Sequence, residues 1–94
     1  MFLGAYEFTG PVSELLEAYD RLVASFPPGA LQLHLCISRD DGITVLDACP
    51  TREMFDSFSV SPEFRGAVEG AGLPEPTVRP LGDVHHVIAS PDAS

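Results

Sequence analysis

The apolar positions change period along the chain, and each change marks a new element. From Phe2 to Phe8 the run FLGAYEF is short, aromatic and apolar, which predicts a first strand. Thr9-Gly10-Pro11 breaks it, and Pro11 suits the first turn of a helix, where its missing N–H is no loss. Val12, Leu15, Leu16, Tyr19, Leu22, Val23 and Phe26 then recur with the spacing of one helix face, and Pro27-Pro28-Gly29 ends it. Glu17 and Arg21 stand on the other face in the order that favours pairing. LQLHLCIS alternates strictly, with Leu31, Leu33, Leu35 and Ile37 on one face and Gln32, His34, Cys36 and Ser38 on the other. Asp41-Gly42 is a two-residue turn signal, and ITVLDAC follows as the third strand. That turn sets Asp40 opposite Ile43, Cys36 opposite Asp47 and His34 opposite Cys49.

A second helical region begins at Pro50-Thr51, with Thr51 as its cap and Met54, Phe55 and Phe58 as its apolar patch. Ser61-Pro62 supplies a second cap and first turn, so the region is interrupted near Val60 before Phe64, Ala67, Val68 and Ala71 continue the face. Gly70 and Gly72 mark its end, and Pro74 and Pro76 follow. A last strand runs from Val78 to Ala89, loosened by Pro80 and Gly82, and residues 90–94 form a disordered tail.

The order strand, helix, strand, strand, helix, strand predicts a single α+β domain over residues 1–89. Right-handed crossovers put the helices on one side of a four-stranded antiparallel sheet. Both sheet faces are nevertheless apolar: Phe2, Tyr6, Phe8 and Val45 have one parity, and Leu33, Leu35, Ile37 and Leu46 the other. A face of branched aliphatics left in water is of the kind that marks an interface. Burying even ~500 Å² of it at about 25 cal/mol per Å² is worth on the order of 10 kcal/mol before association costs. A homodimer through the sheet face is therefore expected. The other reading is a monomer whose leucine face meets the helices while Gln32, His34, Cys36 and Ser38 are wet.

Composition narrows the class of function. Ninety-four residues make one domain. Five arginines and no lysine stand against fourteen acids, a formal charge of −9. Such a chain repels phosphate backbones and anionic lipid, so neither nucleic acid nor membrane is an expected partner. No apolar run has the length of a membrane span, and no export signal opens the sequence. Cys36 and Cys49 are too few for a secreted disulfide framework. These features together predict a soluble cytoplasmic protein. Its mean hydropathy of +0.14 is high for so acidic a chain, which adds to the case for a covered sheet face.

The residues able to carry chemistry are few. His34, Cys36, Asp47 and Cys49 are all zinc-ligand types, but His-x-Cys and Asp-x-Cys are not the knuckle spacing that wraps a metal, and no metal is expected. A strand cysteine is more often a small buried hydrophobe. His34 and Asp47 are the candidate catalytic pair, a base and the carboxylate that orients it. They also read as a structural hydrogen bond between buried polar groups, the blander and more usual role of such a pair. Tyr6 is a candidate donor to a ligand oxygen or a core aromatic. Met54, Phe55, Phe58 and Phe64 form the helix-to-sheet core or the apolar wall of a pocket. His85 and His86 point to opposite faces of a regular strand. The chain has no nucleotide-binding glycine loop and no nucleophile signature.

The DDG hairpin, the third strand running into VLDACPTREMFDSF, the segment SPEFRGAVEGAGLPEP and the final VHHVI together resemble the dimeric α/β barrel superfamily, over nearly the whole chain. The resemblance is to small members of unassigned activity related to the antibiotic biosynthesis monooxygenases. Asp47, Cys49 and Thr51 stand where those proteins show an aspartate, an aromatic and a capping residue. The resemblance implies a ferredoxin-like βαββαβ fold, two subunits joined sheet to sheet, and a pocket in each between sheet and helices. It sends the leucine face to the partner and turns His34, Cys36, Asp47 and Cys49 to the pocket, with Gly4, Tyr6 and Phe8. Phe58 stands where haem-degrading members often carry a histidine, and Cys49 replaces a tryptophan common in the superfamily, so no cofactor is expected. The implied function is binding of a small aromatic or polyketide-like ligand. His34 and Asp47 would carry cofactor-independent oxygenation or isomerisation, and Tyr6, Cys36, Cys49, Phe58 and His86 would bind the ligand. A non-catalytic binding or assembly module with structural polar groups is the alternative.

Overall fold

The computed structural model describes residues 1–26 and 33–89. The breaking signal Pro27-Pro28-Gly29, the strand positions Leu31 and Gln32, and the expected tail over 90–94 lie outside the described residues. The elements are β1 (Phe2–Thr9), α1 (Val12–Ala24), β2 (His34–Arg39), β3 (Gly42–Cys49), α2 (Arg52–Ser59), α3 (Pro62–Ala71) and β4 (Thr77–Asp83). They form an α+β fold around a four-stranded antiparallel sheet of order β2-β3-β1-β4.

The helices start and stop where side chains satisfy their free backbone groups. The Thr51 hydroxyl accepts from the Met54 N–H at the start of α2, and the Ser61 hydroxyl accepts from Phe64 N–H at the start of α3, both at 3.2 Å. Val60 lies between the two helices as the break. Gly72 closes α3 in the left-handed conformation at φ +90°, and Leu73 N–H donates to Val68 O. The i,i+4 reading of Glu17 and Arg21 is replaced by a longer connection. Arg21 donates from Nε and Nη2 to the Ala71 carbonyl at 3.1 and 3.0 Å, tying α1 to the carbonyl end of α3.

The hairpin differs from its expected register by two residues. Arg39 pairs with Gly42, so Asp40 and Asp41 form the loop, and His34 lies opposite Asp47 while Cys36 lies opposite Val45. The reason is steric. Gly42 belongs to β3 itself, where a Cβ would stand 2.0 Å from the Phe8 carbonyl oxygen, so its missing side chain serves close approach of β1. Arg39 holds the turn, donating to Thr44 Oγ1 and Asp41 Oδ1 at 2.9 Å each. A shift of two preserves every side chain's face.

The last strand is shorter than expected. β4 ends at Asp83, with a bulge opposite Leu3 and Gly4, and Val84 N–H makes one further bond to Met1 O at 2.8 Å. Residues 84–89 continue without strand pairing, so His85 and His86 lie outside β4.

The core lies on one sheet face. Phe2, Tyr6, Phe8, Ile43 and Val45 meet Leu15, Ala18 and Leu22 of α1, Phe55 of α2, and Phe64, Val68 and Ala71 of α3. Gly4 permits this contact, since a Cβ there would stand 1.9 Å from the Phe55 ring. On the other face Leu35 and Ile37 are 48% and 45% exposed, and no helix covers them among the described residues. An ion pair between Glu7 and Arg79, at 3.2 Å, crosses β1 and β4 on that face.

Candidate functional site

Strand parity brings His34 and Asp47 to the helix-facing side of the sheet as directly opposed residues on β2 and β3. Asp47 is only 7% exposed, and a carboxylate so buried requires a partner. His34 Nδ1 supplies it, bonded to Asp47 Oδ1. A carboxylate only accepts, so Nδ1 carries the hydrogen, and in the neutral ring Nε2 is then an acceptor. The Tyr19 hydroxyl is bonded to Nε2 at 2.5 Å, as donor when the ring is neutral, with its ring stacked on the imidazole at a 10° interplanar angle. The result is a chain from Tyr19 through His34 to Asp47 that joins α1, β2 and β3.

His34 and Asp47 border a cavity of about 190 Å³ between the sheet and the helices. His34, Asp47, Val45, Tyr6 and Phe8 form its sheet side. Leu22 of α1, Phe26 just beyond that helix, Phe58 from α2 and Phe64 from α3 form the other. Phe58 is 39% exposed and packs on Phe64 with ring centroids 5.0 Å apart. Tyr6 is buried between Phe55 and Phe64, at centroid distances of 5.6 and 4.7 Å. Its hydroxyl has no hydrogen-bond partner among the described residues. Burial, reinforced by the Asp47 and Cys49 charges, pushes the Tyr6 hydroxyl well above the usual phenol range. Tyr19 is pushed up to about 12, first by burial and then by the neighbouring Cys36, Asp47 and Asp20 groups.

The remaining sequence candidates fall in different places. Cys36 and Cys49 face the helices but border neither of the cavities described, and both are free thiols. Burial raises both, with Asp20 adding to Cys36 and Asp47 to Cys49, so they are poor nucleophiles at neutral pH. No cluster of three or more His, Cys, Asp or Glu side chains is placed to hold a metal among the described residues. Gly4 lies under Phe55 rather than at the cavity wall. His86 is exposed beyond β4 and does not line the cavity, because the strand that was to carry it stops at Asp83.

Tyr19 is the member of the site that the sequence pattern concealed. It sits at an apolar position of the α1 face, and a tyrosine there counts as one more hydrophobe. The available signal was its hydroxyl, which on a buried helix face needs a polar partner.

A wider cleft of about 370 Å³ lies beside the first, lined by α3, Ser59 and the segment leading into β4, with Phe64 common to both. No helix among the described residues is long and apolar enough to cross a membrane. The chain matches no known family model, no curated protein and no solved structure.

Proposed function

We propose that this protein binds a small apolar molecule in the cavity beside His34 and Asp47, and that the pair moves a proton on it. The carrying observation is the joint placement of the pair: one imidazole and one carboxylate, bonded to each other, on the wall of an otherwise apolar cavity. Asp47 fixes the ring tautomer and leaves Nε2 as the basic nitrogen. Tyr19 holds Nε2 at rest, so a ligand's acidic O–H or C–H reaches the base by displacing the Tyr19 hydroxyl or by passing its proton through it. Cofactor-independent oxygenation or isomerisation is the reaction class. Tyr6 and Phe58 form part of the ligand's surroundings.

The proposal includes the ferredoxin-like arrangement and the sheet-to-sheet homodimer of the dimeric α/β barrel type. The strand order β2-β3-β1-β4 supports the first, since β1 and β2 run parallel with antiparallel β3 between them. The exposed Leu35 and Ile37 on the helix-free face support the second. Native mass spectrometry of freshly purified protein tests both binding and assembly. Two chains plus a small component is the expected mass. Leu35→Asp combined with Ile37→Asp should give one chain, and a wild-type monomer would end the dimer reading. His34→Ala should abolish turnover of any ligand so identified while leaving the dimer intact; activity surviving that change removes His34 from the mechanism.

A non-catalytic module is the second reading. It draws on the fact that both ring nitrogens of His34 already have protein partners, as a purely structural histidine's would.

A further inference from the structure

Tyr6 presents a problem that the folded chain leaves unsolved. The residue is 1% exposed, it lines the cavity, and its hydroxyl is the buried side-chain polar atom left without a partner among the described residues. A phenylalanine would fill the same space without stranding a polar group, and the neighbouring positions Phe2, Phe8, Phe55 and Phe64 use that solution. An unpaired buried hydroxyl is costly enough that native proteins rarely keep one. A ligand oxygen at the cavity wall would complete it.

We propose that the cavity takes a neutral, single-ring molecule bearing one phenolic or carbonyl oxygen, held by a hydrogen bond from the Tyr6 hydroxyl. The inference rests on the reading of this cavity as a ligand site. Size sets the ring count: the cavity measures about 190 Å³, and a cavity of about 150 Å³ holds benzene. That volume favours one ring over a fused polycyclic skeleton, which narrows the ligand class from polyketides to monocycles. The faces of Phe8, Phe26, Phe58 and Phe64 suit an aromatic ring. Charge sets the polarity: Asp47 is on the wall, no arginine is among the described lining residues, and the His34 imidazole is already bonded to Asp47, so an anion would enter against a carboxylate without a free cation to receive it. Burial keeps the Tyr6 hydroxyl protonated and thus a donor.

Four probes test this on the full chain by calorimetry and protein-observed NMR: phenol, toluene, benzoate and 2-naphthol, each with wild type and with Tyr6→Phe. Phenol should bind wild type about 10-fold more tightly than toluene, the scale of one net hydrogen bond. Benzoate and 2-naphthol should bind more weakly than phenol by a similar factor. Tyr6→Phe should bring phenol and toluene to near-equal affinity while keeping toluene binding. Equal binding of phenol and toluene to wild type, or a phenol preference that survives Tyr6→Phe, overturns the role of Tyr6 while leaving the cavity a ligand site. Benzoate or 2-naphthol binding as tightly as phenol overturns the ligand class. If neither phenol nor toluene binds wild type, the ligand reading itself fails and this inference with it. The wild-type comparison decides the matter even if Tyr6→Phe does not fold.

Discussion

Gly4 shows how a single absent side chain organises the site. The Phe55 ring lies against the backbone of β1 at that point, fully buried, and a methyl group there would stand 1.9 Å from Cε1. Phe55 in turn packs on Phe2 and Tyr6, so its displacement would propagate to the cavity wall. Gly4→Ala should therefore destabilise the fold by about 1–3 kcal/mol, the usual cost of overpacking a tight core. Urea denaturation measures it, and a change within error would mean that Phe55 has room to move. At this scale the sequence was partly legible. Alternation alone sends His34 and Asp47 to one side of adjacent strands, because parity survives a two-residue slip. It was silent on Tyr19, whose partner comes from another element, and on the use of Gly4, which depends on a ring more than fifty positions away.

Among the elements, α2 and α3 were the most legible because their ends are written in side chains. Thr51 and Ser61 each accept from a backbone N–H in the first turn, and Gly72 alone of the α3 terminus adopts positive φ. Ser61→Ala should cost about 1 kcal/mol by removing a cap. It should also act on Phe64, the first core residue of α3 and a wall of both cavities. Thermal unfolding checks the cost. An unchanged midpoint would show that the Val60 break is held by packing instead of by the cap. The hairpin and β4 were harder to read. Asp41-Gly42 has the composition of a turn, whereas contact with Phe8 of a different strand decides the place of Gly42. The VHHVI segment has strand composition, but a ladder needs a neighbour, and pairing to β1 ends at its first residues.

For the molecule as a whole, the raised acids set a pH limit. Tyr6, Tyr19, Cys36 and Cys49 all bind their protons more tightly in the folded chain than in the unfolded one. Their contribution to stability is thus complete below the ordinary thiol value of 9.0 and is lost as pH rises, with Tyr19 following through about 12. Denaturant midpoints should fall steadily over that alkaline window, and a flat profile would show that these groups are better solvated than their burial implies. The proposed dimer adds a separate dependence, on protein concentration. The tyrosines have one more consequence. The chain contains two tyrosines and no tryptophan, and one tyrosine borders the cavity while the other is bonded to His34. Nearly all of the molecule's near-ultraviolet emission therefore originates at the site, which makes the unmodified protein its own optical reporter of whatever enters there.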